Sequence, residues 1–234
     1  MQLPFFYNEN AITEIEGNLS EETSKHVSQV LRMEKGERIQ LTNGKGLLQT
    51  AEIKEAYKKS TTVKIIDTQK IEAGKRKLAI GISPIKNTSR FEWFVEKITE
   101  IGIHEIIVIK CKRSERQDFR KERMEKILIS SMLQSRQVWL PLLSETIELN
   151  EVLQNTKFQN KFIAHCIDGH KSNLLQTLSC TDTDRITLIG PEGDFTQEEV
   201  DAAIAHRCIP VSLGHSRLRT ETAGITAGIM MNAV

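Results

Sequence analysis

Apolar positions keep two different rhythms along this chain. Up to residue 70 they come in short runs that alternate with polar positions. Residues 61–67 (T-T-V-K-I-I-D) are β-branched and alternating, which predicts a strand. Residues 38–42 and 47–53 predict two more, flanking Asn43-Gly44-Lys45-Gly46, a hairpin signal. Residues 3–7 are a further short strand candidate. One helix is expected. Ser20 can cap it, Glu21 and Glu22 suit its first turn, and it runs through His26, Val27, Val30 and Leu31 until Gly36 breaks it. Short strands with a single helix predict a small β-barrel.

The stretch 69–77 is polar and contains Ala73-Gly74, so it reads as a linker between domains at 1–72 and 75–234. Beyond it, strands and helices alternate. Residues 78–83 predict a strand, and Thr88 or Ser89 caps a helix with Phe91, Phe94, Val95, Ile98 and Ile101 on one face. Gly102 stops it. A strand at 105–109 precedes a long charged helix from Asp118, with Met124, Ile127, Leu128 and Met132 inward. Strands at 161–166, 185–189 and 209–213 follow, with helices at 173–178, 196–206 and from Glu221 onward. This alternation predicts an α/β domain with a mostly parallel sheet.

Composition fits a globular chain, with 39% apolar and 27% charged residues. No apolar run reaches the length of a membrane span, and the first residues lack a signal-peptide pattern, so a cytoplasmic protein without membrane contact is expected. The four cysteines are scattered without a C-x-x-C pair, which predicts a reducing compartment and no metal site. Charge is uneven. Residues 75–140 carry 15 Lys+Arg against 8 Asp+Glu, while both flanking segments are acidic. A basic middle can face a polyanion such as RNA, or it can be a solvated helix face.

The chemistry concentrates between Leu188 and Gly224. Two apolar strands there end in glycine loops, Gly190-Pro191-Glu192-Gly193-Asp194-Phe195 and Leu213-Gly214-His215-Ser216-Arg217-Leu218-Arg219, each followed by a helix start. Glycine lets backbone N–H groups approach a ligand, and strand ends are where open α/β sheets bind ligands. The loops match neither a P-loop, nor a G-x-G-x-x-G fingerprint, nor a G-x-S-x-G elbow. His165 and His170 lack the spacing of a zinc-binding H-E-x-x-H motif, and His215 reads as a residue that turns its loop outward.

These loops resemble the paired signatures of the ribosomal RNA small subunit methyltransferase E family. The likeness extends to His26 with Val30-Leu31-Arg32, to Lys86 through Glu92, Lys97 and Glu100 through Ile103, and to Arg113-Ser114 and Gln134-Ser135-Arg136 with Pro141. Asp194 stands where many members carry glycine, and Leu133 where a glutamate is common. The resemblance implies an α/β SPOUT-type domain with a C-terminal trefoil knot, preceded by a small N-terminal PUA-like β-barrel. It also implies a homodimer that methylates N3 of a uridine in 16S rRNA of the small ribosomal subunit, with S-adenosylmethionine as cofactor.

Under that resemblance Gly190, Glu192, Gly193, Leu213, Gly214, Leu218 and Ala223 are the expected cofactor contacts, with a third loop near 165–169. Gly193→Val is expected to crowd the cofactor out. Uridine N3 is a poor nucleophile until its proton leaves. Glu221 is a candidate acceptor, worth about 10²–10⁴-fold, or else a structural residue at a helix start where the dipole keeps carboxylates acidic. Arg219 can stabilise the uridine oxygens or bind a phosphate. Arg32, Lys112, Arg113, Arg116 and Arg136 are expected at RNA phosphates, with Arg120 and Arg123 as further candidates. A non-catalytic RNA-binding protein of ribosome assembly, or an enzyme acting on another RNA atom, remains open at this level.

Overall fold

The computed structural model describes residues 2–115, 119–178 and 183–233. Two compact units result, one of Met1–Ala73 with Met132–Leu140, the other of Gly74–Ser131 with Pro141–Val234. Residues 132–140 therefore depart from the division expected at 75. Backbone bonding explains why: Gly46 N–H donates to Val138 O at 2.9 Å, and Leu140 N–H to Gly44 O at 2.9 Å.

The first unit holds β1 (Phe5–Tyr7), β2 (Glu16–Asn18), α1 (Glu21–Lys25), β3 (Arg38–Thr42), β4 (Leu47–Ala56) and β5 (Thr61–Lys70). They form one five-stranded sheet in the order β1-β3-β4-β5-β2, antiparallel except for β1 on β3. Val27, Ile39, Leu41, Ala51, Ile53 and Val63 fill its core. Ser20 caps α1 as expected, accepting from Thr23 N–H. The helix then widens into a π turn over His26–Val30 and reverses at Arg32, whose φ is +53°. Gly36 is thus not its breaker. That glycine instead turns the chain into β3 and donates its N–H to Ile53 O. β5 runs on to Lys70, which shortens the expected linker.

The second unit comprises β6 (Leu78–Ile82), α2 (Thr88–Ile101), β7 (Glu105–Lys110), α3 (Lys121–Gln134, which ends in the first unit), β8 (Leu142–Glu148), α4 (Leu149–Asn155), β9 (Asn160–Ala164), β10 (Ser172–Asn173), α5 (Leu174–Thr177), β11 (Arg185–Ile189), α6 (Gln197–Ala205), β12 (Ile209–Ser212) and α7 (Thr220–Asn232). Asn87, rather than Thr88 or Ser89, caps α2, and Gly102 ends it at φ +87°. The expected helix start at Asp118 lies outside the described residues. Every strand pair is parallel, in the order β10-β12-β9-β11-β6-β7-β8. Helices α2 and α7 pack on one face of the sheet. Small residues of α7 permit the close approach: a Cβ at Gly224 would meet Phe94 at 2.6 Å. On the other face Val152, Leu153, Val200 and Ala203 of α4 and α6 join Ile163, Ile186, Leu188 and Phe195 in a second core. Among the described residues no helix is long and apolar enough to cross a membrane.

Strand order reverses between β11 and β6. The chain steps from β6 outward to β7 and β8, then resumes on the far side with β9, β11 and β12. Open parallel sheets bind ligands beyond the carboxyl ends of strands at such a point.

Candidate functional site

The loops leaving β9, β11 and β12 line one cavity of about 640 Å³, within the range of small-molecule sites. Gly190, Glu192, Leu213, Gly214, Leu218 and Ala223 all line it, as do Arg219, Thr220 and Glu221 at the start of α7. Gly214 holds φ +138°, a conformation that side chains rarely adopt, and a Cβ there would meet nothing within 4 Å. Gly190 has a different constraint: a Cβ would press on the Phe195 ring at 3.0 Å.

Gly193 does not line the cavity. Its Cα faces the stem of Arg113, and the Arg113 guanidinium donates to Gly193 O at 2.9 Å and to Phe195 O at 3.3 Å. A side chain at Gly193 would therefore meet Arg113 first.

Side chains hold the loops together. Glu192 accepts from the Lys86 backbone N–H at 3.0 Å, so the loop after β11 is fastened to the loop after β6 across the reversal point. Asp194 holds φ +64° and accepts from Cys166 N–H at 2.7 Å and Phe195 N–H at 2.8 Å. The third loop thus enters the site through Ala164, His165 and Cys166. Lys171 also lines the cavity, its ammonium donating to Ile167 O at 2.8 Å and His165 O at 3.2 Å. Both ring nitrogens of His165 are buried. Burial, and then the Lys171 charge, push its pKa below 6.5.

Glu221 is nearly buried, with 7% of its side chain exposed, and Arg90 of α2 stands 3.7 Å from it. Sequence reasoning missed Arg90 and Lys171, because neither lies in a glycine loop. Arg219 is the N-cap residue of α7, exposed and making no side-chain cap bond.

A model of the RNA methyltransferase domain matches residues 72–232, and one of the RNA methyltransferase PUA domain matches residues 19–66. Ribosomal RNA small subunit methyltransferase E of Rickettsia conorii is 27% identical over 206 residues, covering 86% of this chain and 83% of its own. The chain belongs to the RNA methyltransferase family, in its small subunit methyltransferase E group. Its fold, a PUA-type unit with a parallel-sheet α/β methyltransferase unit, recurs in solved structures. A probable rRNA-methyltransferase of Porphyromonas gingivalis superposes with a TM-score of 0.91 at 35% identity, over 99% of both chains. Ribosomal RNA small subunit methyltransferase E of Neisseria gonorrhoeae, bound to S-adenosylmethionine, does so with 0.87 at 25% identity, over 99% of this chain and 98% of its own.

The expected phosphate ligands in this methyltransferase are scattered. Arg32 is exposed in the first unit. Arg136 is turned inward there, donating to Leu3 O and Gln40 Oε1 with its guanidinium 5.3 Å above the Phe5 ring. In the second unit Lys112 reaches Glu198 at 3.4 Å, and Arg113 clamps the Gly193 loop. Arg123 is paired through two nitrogens with Glu92, whose pKa is lowered by that bond. Arg116 lies outside the described residues.

Proposed function

We propose that this chain methylates N3 of a uridine in 16S rRNA of the small ribosomal subunit, with S-adenosylmethionine as cofactor. The observation that carries it is the single cavity in which three strand-end loops meet Arg219 and Glu221. Its size suits an adenosyl ligand. Its walls fit too, since Leu213, Gly214 and Leu218 offer apolar surface and backbone, and the fixed Lys171 ammonium suits a carboxylate tail. Gly190, Glu192, Leu213, Gly214, Leu218 and Ala223 would hold the cofactor, with Gly193 acting behind them through Arg113. When bound, it supplies an electrophilic methyl group on a sulfonium.

The protein's own task is to place the uridine and manage its proton. Glu221, nearly buried and beside Arg90, takes the N3 proton and passes it to water. Arg219 is exposed at the mouth, where it can meet the uridine oxygens or the flanking phosphate. The uridine has to leave its stack to enter. Arg32, Lys112 and Arg116 attract the surrounding backbone. Arg113 and Arg136 add to that field while their guanidinium groups brace the protein.

The finer architecture belongs to the same proposal. β12 lies beyond β9, and α7 returns over β6 and β11. This crossing supports the trefoil knot of a SPOUT domain. Leu175 of α5 and Ile229 of α7, exposed on helices that touch each other, support a homodimer face. Cytoplasmic placement follows from the proposed substrate. Calorimetry with S-adenosylmethionine tests the cofactor: micromolar to submillimolar binding is expected, and no binding at millimolar concentration would sink the proposal.

A further inference from the structure

We propose that Arg90 reads the uracil ring next to Glu221, donating to the ring oxygen beside N3 and stabilising the charge that forms there as the N3 proton leaves. The inference rests on the function proposed above and adds a residue and a specificity rule to it.

Arg90 lies in the first turn of α2, where Asn87 fixes its backbone N–H at 3.3 Å. Its side chain lines the cavity and is 42% exposed, whereas Glu221 is 7% exposed. The 3.7 Å between Arg90 Nε and Glu221 Oε1 is short enough for charge attraction and too long for a hydrogen bond. Among the described residues no other cation stands within ion-pair distance of Glu221. The pair therefore keeps unused donors on the guanidinium and unused acceptors on the carboxylate, side by side and open to the cavity.

That arrangement has a complement in uracil. Its pairing edge presents O4, N3–H and O2, in the order acceptor, donor, acceptor. A carboxylate facing N3–H and a guanidinium facing the adjacent oxygen satisfy two consecutive positions. Cytosine would set its N3 lone pair against the carboxylate in place of a donor, so the pair rejects it. In the step itself the N3–H bond breaks and the proton passes to Glu221, then to water. The electron pair stays on the ring and spreads over N3, O2 and O4. Arg90 meets a partial charge before this step and a full one after it, so its contribution grows toward the transition state.

The test is single-turnover methylation of unmodified small subunits by Arg90→Ala and Arg90→Lys across pH, with S-adenosylmethionine affinity and thermal unfolding measured on each. For Arg90→Ala a slowing of about 10²-fold is expected, with cofactor affinity within about twofold of the parent. Its rate should go on rising with pH where the parent's has levelled, because hydroxide must do the work of forming the anion. Arg90→Lys keeps the charge and should recover part of the rate, and it serves as the folded variant if the alanine protein melts. A rate within about threefold of the parent, a loss explained by cofactor affinity, or an unchanged pH profile would overturn the role. A parent enzyme that leaves uridine unmethylated would overturn the proposed function itself, and is distinguished by failing before any variant is compared.

Discussion

Asp194 accepts the backbone N–H of Cys166 at 2.7 Å, and so ties the loop after β11 to the loop after β9. Its other oxygen takes the N–H of Phe195 at 2.8 Å. These bonds offset the strain of φ +64° at a residue that is not glycine. Asp194→Ala removes both and keeps the strained backbone. A loss of about 1–3 kcal/mol in denaturant unfolding is expected, with weaker cofactor binding. Asp194→Gly relieves the strain and should fall between the alanine variant and the parent.

Arg113 offers a sharper choice between two roles. Its bonds to Gly193 O and Phe195 O predict that Arg113→Ala weakens cofactor binding by about tenfold, because the loop loses its clamp. A phosphate ligand behaves differently, and its removal lowers the salt slope of RNA binding by about 1. We expect the cofactor effect with the slope lowered by much less than 1, both readable from titrations at several salt concentrations.

The contact between α2 and α7 depends on glycine. A Cβ at Gly224 would stand 2.6 Å from Phe94 Cε2 and 3.2 Å from Ile82 Cδ1. Gly224→Ala should therefore cost about 1–3 kcal/mol by overpacking, despite the better helix propensity of alanine. Thermal unfolding measures it, and a stabilised variant would contradict the packing described.

His165 should make the fold sensitive to mild acid. Its folded pKa lies below 6.5 because burial, and then Lys171, disfavour the charged ring. The unfolded chain takes up this proton first as pH falls. Stability is thus complete above 6.5 and declines as pH drops toward the folded value. His165→Gln cannot take up the proton, so it should lose less stability than the parent between neutral pH and the acid side of that range. Chemical denaturation at a series of pH values compares the two.

Several of these relations are legible in the sequence. β11 begins and ends where β-branched and apolar residues predict, and Thr196 caps α6 through a capping box with Glu199. The cluster of Gly190, Leu213 and Arg219 is legible for a related reason, since glycine loops at strand ends mark ligand sites. Local pattern fails where a side chain's direction depends on distant chain. Arg136 looks like a surface cation but bonds to Leu3 and Gln40, more than ninety residues away. Gly193 shares a motif with Gly190 yet faces Arg113. β8 is an edge strand with four half-buried and three exposed positions, so it carries no clear alternation. Residues 132–140 are assigned by backbone bonds to Gly44 and Gly46, which no local period reveals.

The most direct measurement is mass mapping of 16S rRNA after the pure protein has acted on unmodified small subunits with S-adenosylmethionine. One added methyl on N3 of a single uridine is the predicted result. No transfer, or a methyl on a ribose or on another base, would contradict the account.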